Sequence, residues 1–213
     1  MKESSKTVFV EGALPEGYRW LACPPAAAPP WPLLLFLHGS GERGADLSLL
    51  LLHGPTRELA AGMRLPFLIL APQCPAGRGW SIEALQALLA QAESLWPLDP
   101  ERIAVTGLSM GGYGTWALAL AEPGRFSAIA PICGGGNPRR ARCLVGLPIW
   151  AFHGARDPTV PLEESARMVR AVERAGGSPR FTVFSEAEHD CWTAAYRDPE
   201  LYRWLLTQRR VAR

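Results

Sequence analysis

The stretch Val105-Thr106-Gly107-Leu108-Ser109-Met110-Gly111-Gly112-Tyr113-Gly114 constrains this chain more than any other. Arg102 to Val105 reads as a short buried strand, and Tyr113 to Ala121 as a helix. Between them, Ser109 is flanked two residues away on each side by glycine. A sharp strand-to-helix turn forces its central residue into strained backbone angles and brings neighbouring backbone too close for side chains. Gly107 and Gly111 relieve that crowding. The expected result is a nucleophile elbow, a hydroxyl held on an exposed point at the head of a helix.

The rest of the chain supplies alternating strands and helices. Leu33 to Leu37 and Pro66 to Ala71 are apolar runs without alternation, so both faces of each should be buried, as in a parallel sheet. Phe126 to Ile132, Pro148 to Phe152 and Arg180 to Phe184 read as further strands. Helices are expected over Asp46 to His53, from an N-cap at Ser81 to about Leu95, over Glu163 to Arg174, and over Pro199 to Gln208. Leu85, Leu88, Leu89, Ala92 and Leu95 share one face of the second of these. Thr7 to Val10 and Tyr18 to Ala22 form an expected antiparallel edge hairpin, and Pro24 to Pro32 a surface connector. The pattern predicts an α/β protein with a mainly parallel sheet and helices on both faces. At 213 residues and 48% hydrophobic content, residues 1–213 suit one domain.

Charge and cysteine usage narrow the function classes. A net charge of +2, with only the short Arg139-Arg140-x-Arg142 cluster, speaks against nucleic acid. Leu33 to Leu37 and Leu47 to Leu52 are too short to span a membrane, and no apolar core follows Met1 to Lys6 as in a secretory signal. Cys23, Cys74, Cys133, Cys143 and Cys191 are odd in number and include no Cys-x-x-Cys pair. Reduced thiols in a cytoplasmic protein are expected, with no metal and no cofactor.

A serine hydroxyl needs a base, and the base needs an orienting carboxylate. The chain has 4 histidines. His38 and His153 each precede a glycine at the end of a buried strand, where a ring supports the turn. His53 precedes Gly54-Pro55 and reads as a surface or packing residue. His189 lies in a polar loop after the last strand, at the same sheet edge as Ser109, and is the expected base. Asp157, in the proline-bounded loop after the preceding strand, is the expected carboxylate. Asp190 competes, but a residue adjacent to His189 cannot easily face its ring. The developing oxyanion needs backbone N–H donors. Those of Met110, at the helix N-terminus, and Ser40, in the glycine-rich loop after the first central strand, are the candidates, with Gly41 the alternative to Ser40.

Leu37-His38-Gly39-x-Gly41, Gly107-Leu108-Ser109-Met110-Gly111-Gly112, His153-Gly154-x-x-Asp157-x-x-Val160-Pro161 and His189-Asp190-x-Trp192 together resemble the α/β-hydrolase superfamily. The resemblance points to its phospholipase/carboxylesterase-like and prolyl-oligopeptidase-like esterase branches. It implies the chain order Ser, Asp, His found here and cleavage of carboxylic esters through an acyl-enzyme. Relatives called dienelactone hydrolases carry cysteine at the elbow, and Ser109 argues against that activity. The short connection from Cys133 to Leu147 leaves little room for the cap domain of many such hydrolases, so an open site for a small or short-acyl ester is expected. Gly41, Trp80, Tyr113 and Trp192 are candidates to line it, and Arg43 is expected in a surface ion pair. An acyl thioesterase or serine peptidase using the same three residues is the alternative. A non-catalytic ligand-binding hydrolase fold is the remote one.

Overall fold

A computed structural model describes residues 8–15 and 17–210. Its sheet has eight strands: β1 (Val10–Ala13), β2 (Arg19–Cys23), β3 (Trp31–Leu37), β4 (Leu68–Gln73), β5 (Leu98–Leu108), β6 (Ala128–Ile132), β7 (Trp150–Gly154) and β8 (Arg180–Phe184). They lie in the order β1-β2-β4-β3-β5-β6-β7-β8. The first two pairings are antiparallel, and every pairing from β4/β3 to β7/β8 is parallel. The α-helices are α1 (Gly54–Ala60), α2 (Ile82–Leu95), α3 (Met110–Ala121), α4 (Glu163–Arg174), α5 (Trp192–Arg197) and α6 (Pro199–Thr207). This is the α/β-hydrolase fold with an N-terminal antiparallel hairpin and, among the described residues, no large cap domain.

The apolar runs of the central strands are explained by two cores, one on each face. Side chains alternate across a strand. Leu33, Leu35 and Leu37 of β3 join one core with Leu85, Leu88 and Leu89 of α2, Trp116 of α3 and Met168 of α4. Leu34 and Phe36 join the other with Leu59 of α1, Tyr196 of α5 and Leu201 and Leu205 of α6. β4 and β5 divide in the same way, Leu68, Leu70, Ile103 and Val105 to the first core and Ile69, Ala71, Ala104 and Leu108 to the second.

Several expected boundaries move. The first strand is Val10–Ala13, later than expected, and Thr7 and residues Met1 to Lys6 lie outside the described residues. Its register sets Gly12 opposite Trp20, and a side chain at Gly12 would overlap that indole. The turn is correspondingly tight, closed by the Leu14 N–H donating to the Tyr18 carbonyl at 2.7 Å. Part of the proline-rich connector belongs to β3, because the Trp31 N–H is taken by the Pro97 carbonyl at 2.9 Å. Asp46 to His53 holds a 3-10 turn over Leu47–Leu51 instead of an α-helix. Gly54-Pro55, which reads as a break, starts α1, proline being suited to a first helical turn. Ser81 caps α2 by accepting the Ala84 N–H at 3.2 Å. Leu95, placed by periodicity on its buried face, is 53% exposed because the helix ends there and the chain turns away into β5. Among the described residues no helix is long and apolar enough to cross a membrane.

Candidate active site

β5 ends at Leu108 and α3 begins at Met110, so Ser109 alone makes the turn. Its backbone sits at φ 52°, ψ −115°, a conformation that costs a non-glycine residue of order 1–3 kcal/mol. The Ser109 N–H donates to the Ile132 carbonyl of β6 at 3.0 Å, which anchors the turn to the sheet.

The loops after β7 and β8 bring two more groups to that point. His189 Nε2 lies 3.0 Å from Ser109 Oγ, and His189 Nδ1 lies 2.7 Å from Asp157 Oδ2. A carboxylate oxygen only accepts, so Nδ1 carries the ring hydrogen. In the neutral ring Nε2 is then the acceptor of the Ser109 hydroxyl hydrogen. Asp157 Oδ1 accepts the Thr159 and Val160 N–H groups, each at 2.9 Å. Burial pushes the Asp157 carboxyl up. The hydrogen bonds from His189, Val160 and Thr159 outweigh burial and hold it below its ordinary value. The competitor Asp190 is engaged elsewhere, accepting the Thr193 N–H and hydroxyl at 3.0 Å each, at the start of α5.

The glycine-rich loop after β3 lies alongside. Ser40 begins a 3-10 turn over Ser40–Glu42 and Met110 begins α3, and a first helical residue has no carbonyl within its own helix to bond. The loop is pinned by His38, whose ring supports the turn as expected, and by two groups the sequence did not single out, Glu42 and Gln73. The buried Glu42 carboxylate accepts the Gly39 N–H at 2.7 Å, and Gln73 Nε2 donates to the Glu42 carbonyl at 2.9 Å. His38 Nε2 accepts the Cys74 N–H at 2.9 Å, which leaves Nδ1–H to donate to the Gly39 carbonyl at 2.5 Å. Arg43, expected in a surface ion pair, instead donates to the Ser40 carbonyl at 2.9 Å and the Arg78 carbonyl at 3.2 Å.

Burial pushes the His38 ring down to about 4, so it stays neutral at physiological pH. The unfolded chain takes up that proton near the ordinary value of about 6.5. The stability linked to neutral His38 is therefore fully present above about 6.5 and lost as the pH falls towards 4, at most ~3 kcal/mol. His38→Asn is expected to show a flatter fall in urea midpoint between pH 7 and 4.5. An unchanged slope would remove His38 from the acid sensitivity.

The candidate lining residues divide. Trp192 stands edge-on to the His189 ring, centroids 5.1 Å apart, and so borders the three residues. Tyr113 is 37% exposed one helical turn beyond Ser109, and burial and the neighbouring Glu164 carboxylate push its phenol up. Gly41 is exposed beside Ser40. Trp80 packs under the loop, against His38 at 4.7 Å and the backbone of Gly114, as part of a core. His53, read as a surface or packing residue, belongs to the neighbourhood. It accepts the Trp192 Nε1–H at 3.3 Å and faces Glu42 Oε1 at 3.7 Å. The only sequence signal for this grouping was the proximity of Glu42 to the Gly39-x-Gly41 loop.

Cys133 Sγ, a carboxylate oxygen of Asp157 and a ring nitrogen of His189 lie within 4.8 Å of one another. The Asp157–His189 hydrogen bond already joins two of these groups, and burial pushes the Cys133 thiol up, away from the thiolate a metal ion would need. Cys23, Cys74, Cys133 and Cys191 are buried and in no disulfide.

The sequence profile of the dienelactone hydrolase family matches residues 79–199. Over 41 residues, 18% of this chain, the chain is 51% identical to S-formylglutathione hydrolase of Rattus norvegicus, covering 14% of that protein. Two longer alignments to curated relatives reach 42% and 57% of those proteins, so the chain spans about half their length. A thermostable esterase of known structure superposes with a TM-score of 0.80 at 31% identity, over 96% of this chain and 64% of that one. A ferulic acid esterase superposes with a TM-score of 0.71 at 18% identity, over 94% of this chain and 96% of that one, a likeness of fold alone.

Proposed function

The chain belongs to the dienelactone hydrolase family, within the α/β-hydrolase superfamily, and from that premise we propose that it is a serine esterase acting on small or short-acyl carboxylic esters. The observation that carries this reading is the 3.0 Å approach of His189 Nε2 to Ser109 Oγ. A base within hydrogen-bond reach turns a weak alcohol into a nucleophile. Ser109 Oγ attacks the ester carbonyl carbon while His189 Nε2 takes its proton. Asp157 holds the ring in the required tautomer and stabilises the imidazolium. The N–H groups of Ser40 and Met110 receive the negative charge that develops on the carbonyl oxygen. His189 returns the proton to the departing alcohol, leaving Ser109 acylated. Water activated by the same ring then releases the acid and restores the hydroxyl.

Serine at position 109, where dienelactone hydrolases are expected to carry cysteine, favours esters over dienelactones. The absence of a large cap favours compact substrates over long acyl chains. The amide alternative is decided by chemistry at the leaving group, because an amine departs only with a well-placed proton. With one acyl group presented as a p-nitrophenyl ester and as a p-nitroanilide, kcat/KM is expected to be about 10³-fold or more higher for the ester. Comparable values would make the protein a peptidase. A panel of p-nitrophenyl esters from acetate to decanoate should decline with chain length, and a maximum at decanoate would contradict the short-acyl reading.

A further inference from the structure

Asp157 has a second histidine on it. His153 of β7 is fully buried, and its Nε2 lies 3.3 Å from Asp157 Oδ2, the oxygen that also receives His189 Nδ1–H. The same nitrogen lies 2.9 Å from the Val160 carbonyl. Both neighbours are acceptors, so Nε2 carries a hydrogen, which bonds the Val160 carbonyl and sets the positive edge of the ring against Oδ2. On the other side of the ring, Nδ1 lies 2.7 Å from Ser165 Oγ, itself 2.8 Å from the Gly134 carbonyl. Ser165 is fully buried on α4, and Gly134 packs against the backbone of Gly112 and Tyr113 at the head of α3. Burial holds the His153 ring below its ordinary value, so its resting form is neutral, and the single Ser165 hydroxyl hydrogen lies between two acceptors, the Gly134 carbonyl and Nδ1.

We infer that His153 is a positioning residue, which holds Asp157 Oδ2 towards His189 through its Nε2–H and is itself fixed by Ser165. This inference rests on the esterase reading above and deepens it. The Thr159 and Val160 N–H groups fix only Oδ1. Without His153, Oδ2 keeps the His189 hydrogen bond and loses the N–H dipole that lies 3.3 Å from it. The carboxylate then turns more freely about its fixed oxygen, and more of its charge falls on the His189 imidazolium. The first effect lowers the rate, and the second moves the acid limb of the rate profile to higher pH. The titratable groups facing Asp157 are His153 from β7, His189 from the loop after β8, Cys133 from the loop after β6 and Tyr113 from α3. Cysteine and tyrosine titrate far above the acid limb, so that limb reports the histidines.

The test is the pH profile of kcat/KM for a p-nitrophenyl ester in the wild type, His153→Asn, His153→Gln and Ser165→Ala. It is paired with the downfield proton resonance of the His189–Asp157 hydrogen bond. Asparagine places its amide where Nδ1 lies, keeping a partner for Ser165 and removing the donor to Asp157. Glutamine places its amide where Nε2 lies and keeps that donor. His153→Asn is expected to lose about tenfold in kcat/KM, to move the acid limb up by about half a pH unit and to shift the resonance. His153→Gln should recover most of the acid-limb position. Ser165→Ala should shift the limb in the same direction by less, because nothing then fixes the ring. A folded His153→Asn protein with the wild-type acid limb and resonance would overturn the proposal, even if its activity falls. If that variant does not fold, an unchanged limb and resonance in Ser165→Ala overturn it instead. Should the wild type show no Ser109-dependent turnover, the esterase reading fails by itself, and the resonance still decides whether His153 positions Asp157.

Discussion

Ser109→Ala is expected to lower kcat for ester hydrolysis by roughly 10⁴-fold or more while leaving KM within a few-fold of the wild type. The methyl side chain keeps the elbow's shape and the N–H groups of Met110 and Ser40, so substrate still binds. Only the atom that forms the acyl bond is lost. What remains is the stabilisation that the oxyanion donors give to attack by water. His189→Ala should cost a similar factor, because the hydroxyl 3.0 Å from Nε2 then has no base. Since the two act as one unit, the double variant should be no slower than either single one. Steady-state rates against p-nitrophenyl acetate measure all three. Multiplying losses would mean that Ser109 and His189 serve separate steps.

Gly111→Ala should be the most disruptive single methyl group in the chain. α3 crosses β3 at its N-terminus, and a Cβ on Gly111 would overlap the Leu37 carbonyl and lie 2.7 Å from the His38 carbonyl. Both are backbone atoms of the sheet and the adjoining loop and have no side-chain freedom with which to yield. Gly107→Ala meets the same crowding from the opposite side, against the Gly111 carbonyl and the Leu37 oxygen. Overpacking of this kind costs about 3 kcal/mol or more. We expect Gly111→Ala either to accumulate as insoluble protein or to unfold at a much lower urea concentration than the wild type. Gly41→Ala is the control. It lies in the loop beside Ser40, a Cβ there meets nothing within 4 Å, and its unfolding free energy should change by less than about 0.5 kcal/mol. A Gly111→Ala protein of wild-type stability would mean that the helix does not sit against β3 as described.

Those glycines explain why the elbow was legible in the sequence. Its demands are local, a strained turn and two close backbone approaches, and both leave a residue-type record within five positions. The strands were legible for a related reason, since burial on both faces removes alternation from Leu33 to Leu37. Asp157 and His189 could be placed beside Ser109 by elimination because the chemistry proposed for that hydroxyl restricts their type and the topology restricts their loops. Glu42 and His53 could not. What makes them part of the site is contact across elements: Glu42 with the Gly39 N–H, and His53 with the Trp192 indole 139 positions away. The helices α1 and α5 were missed because each is a single short segment begun by residues that also break helices or form loops. Leu95 was misplaced because periodicity cannot show where a helix leaves its core.

The central claim is that one hydroxyl, activated by one imidazole, forms a covalent bond with the acyl group. A p-nitrophenyl phosphonate ester traps that bond, and mass spectrometry of the digested protein locates it. One phosphonyl group per chain is expected, on the peptide containing Ser109, formed with release of one p-nitrophenolate and nearly absent in Ser109→Ala and His189→Ala. Label on any other residue at the same rate, or labelling of Ser109 that is equally fast without His189, would contradict it.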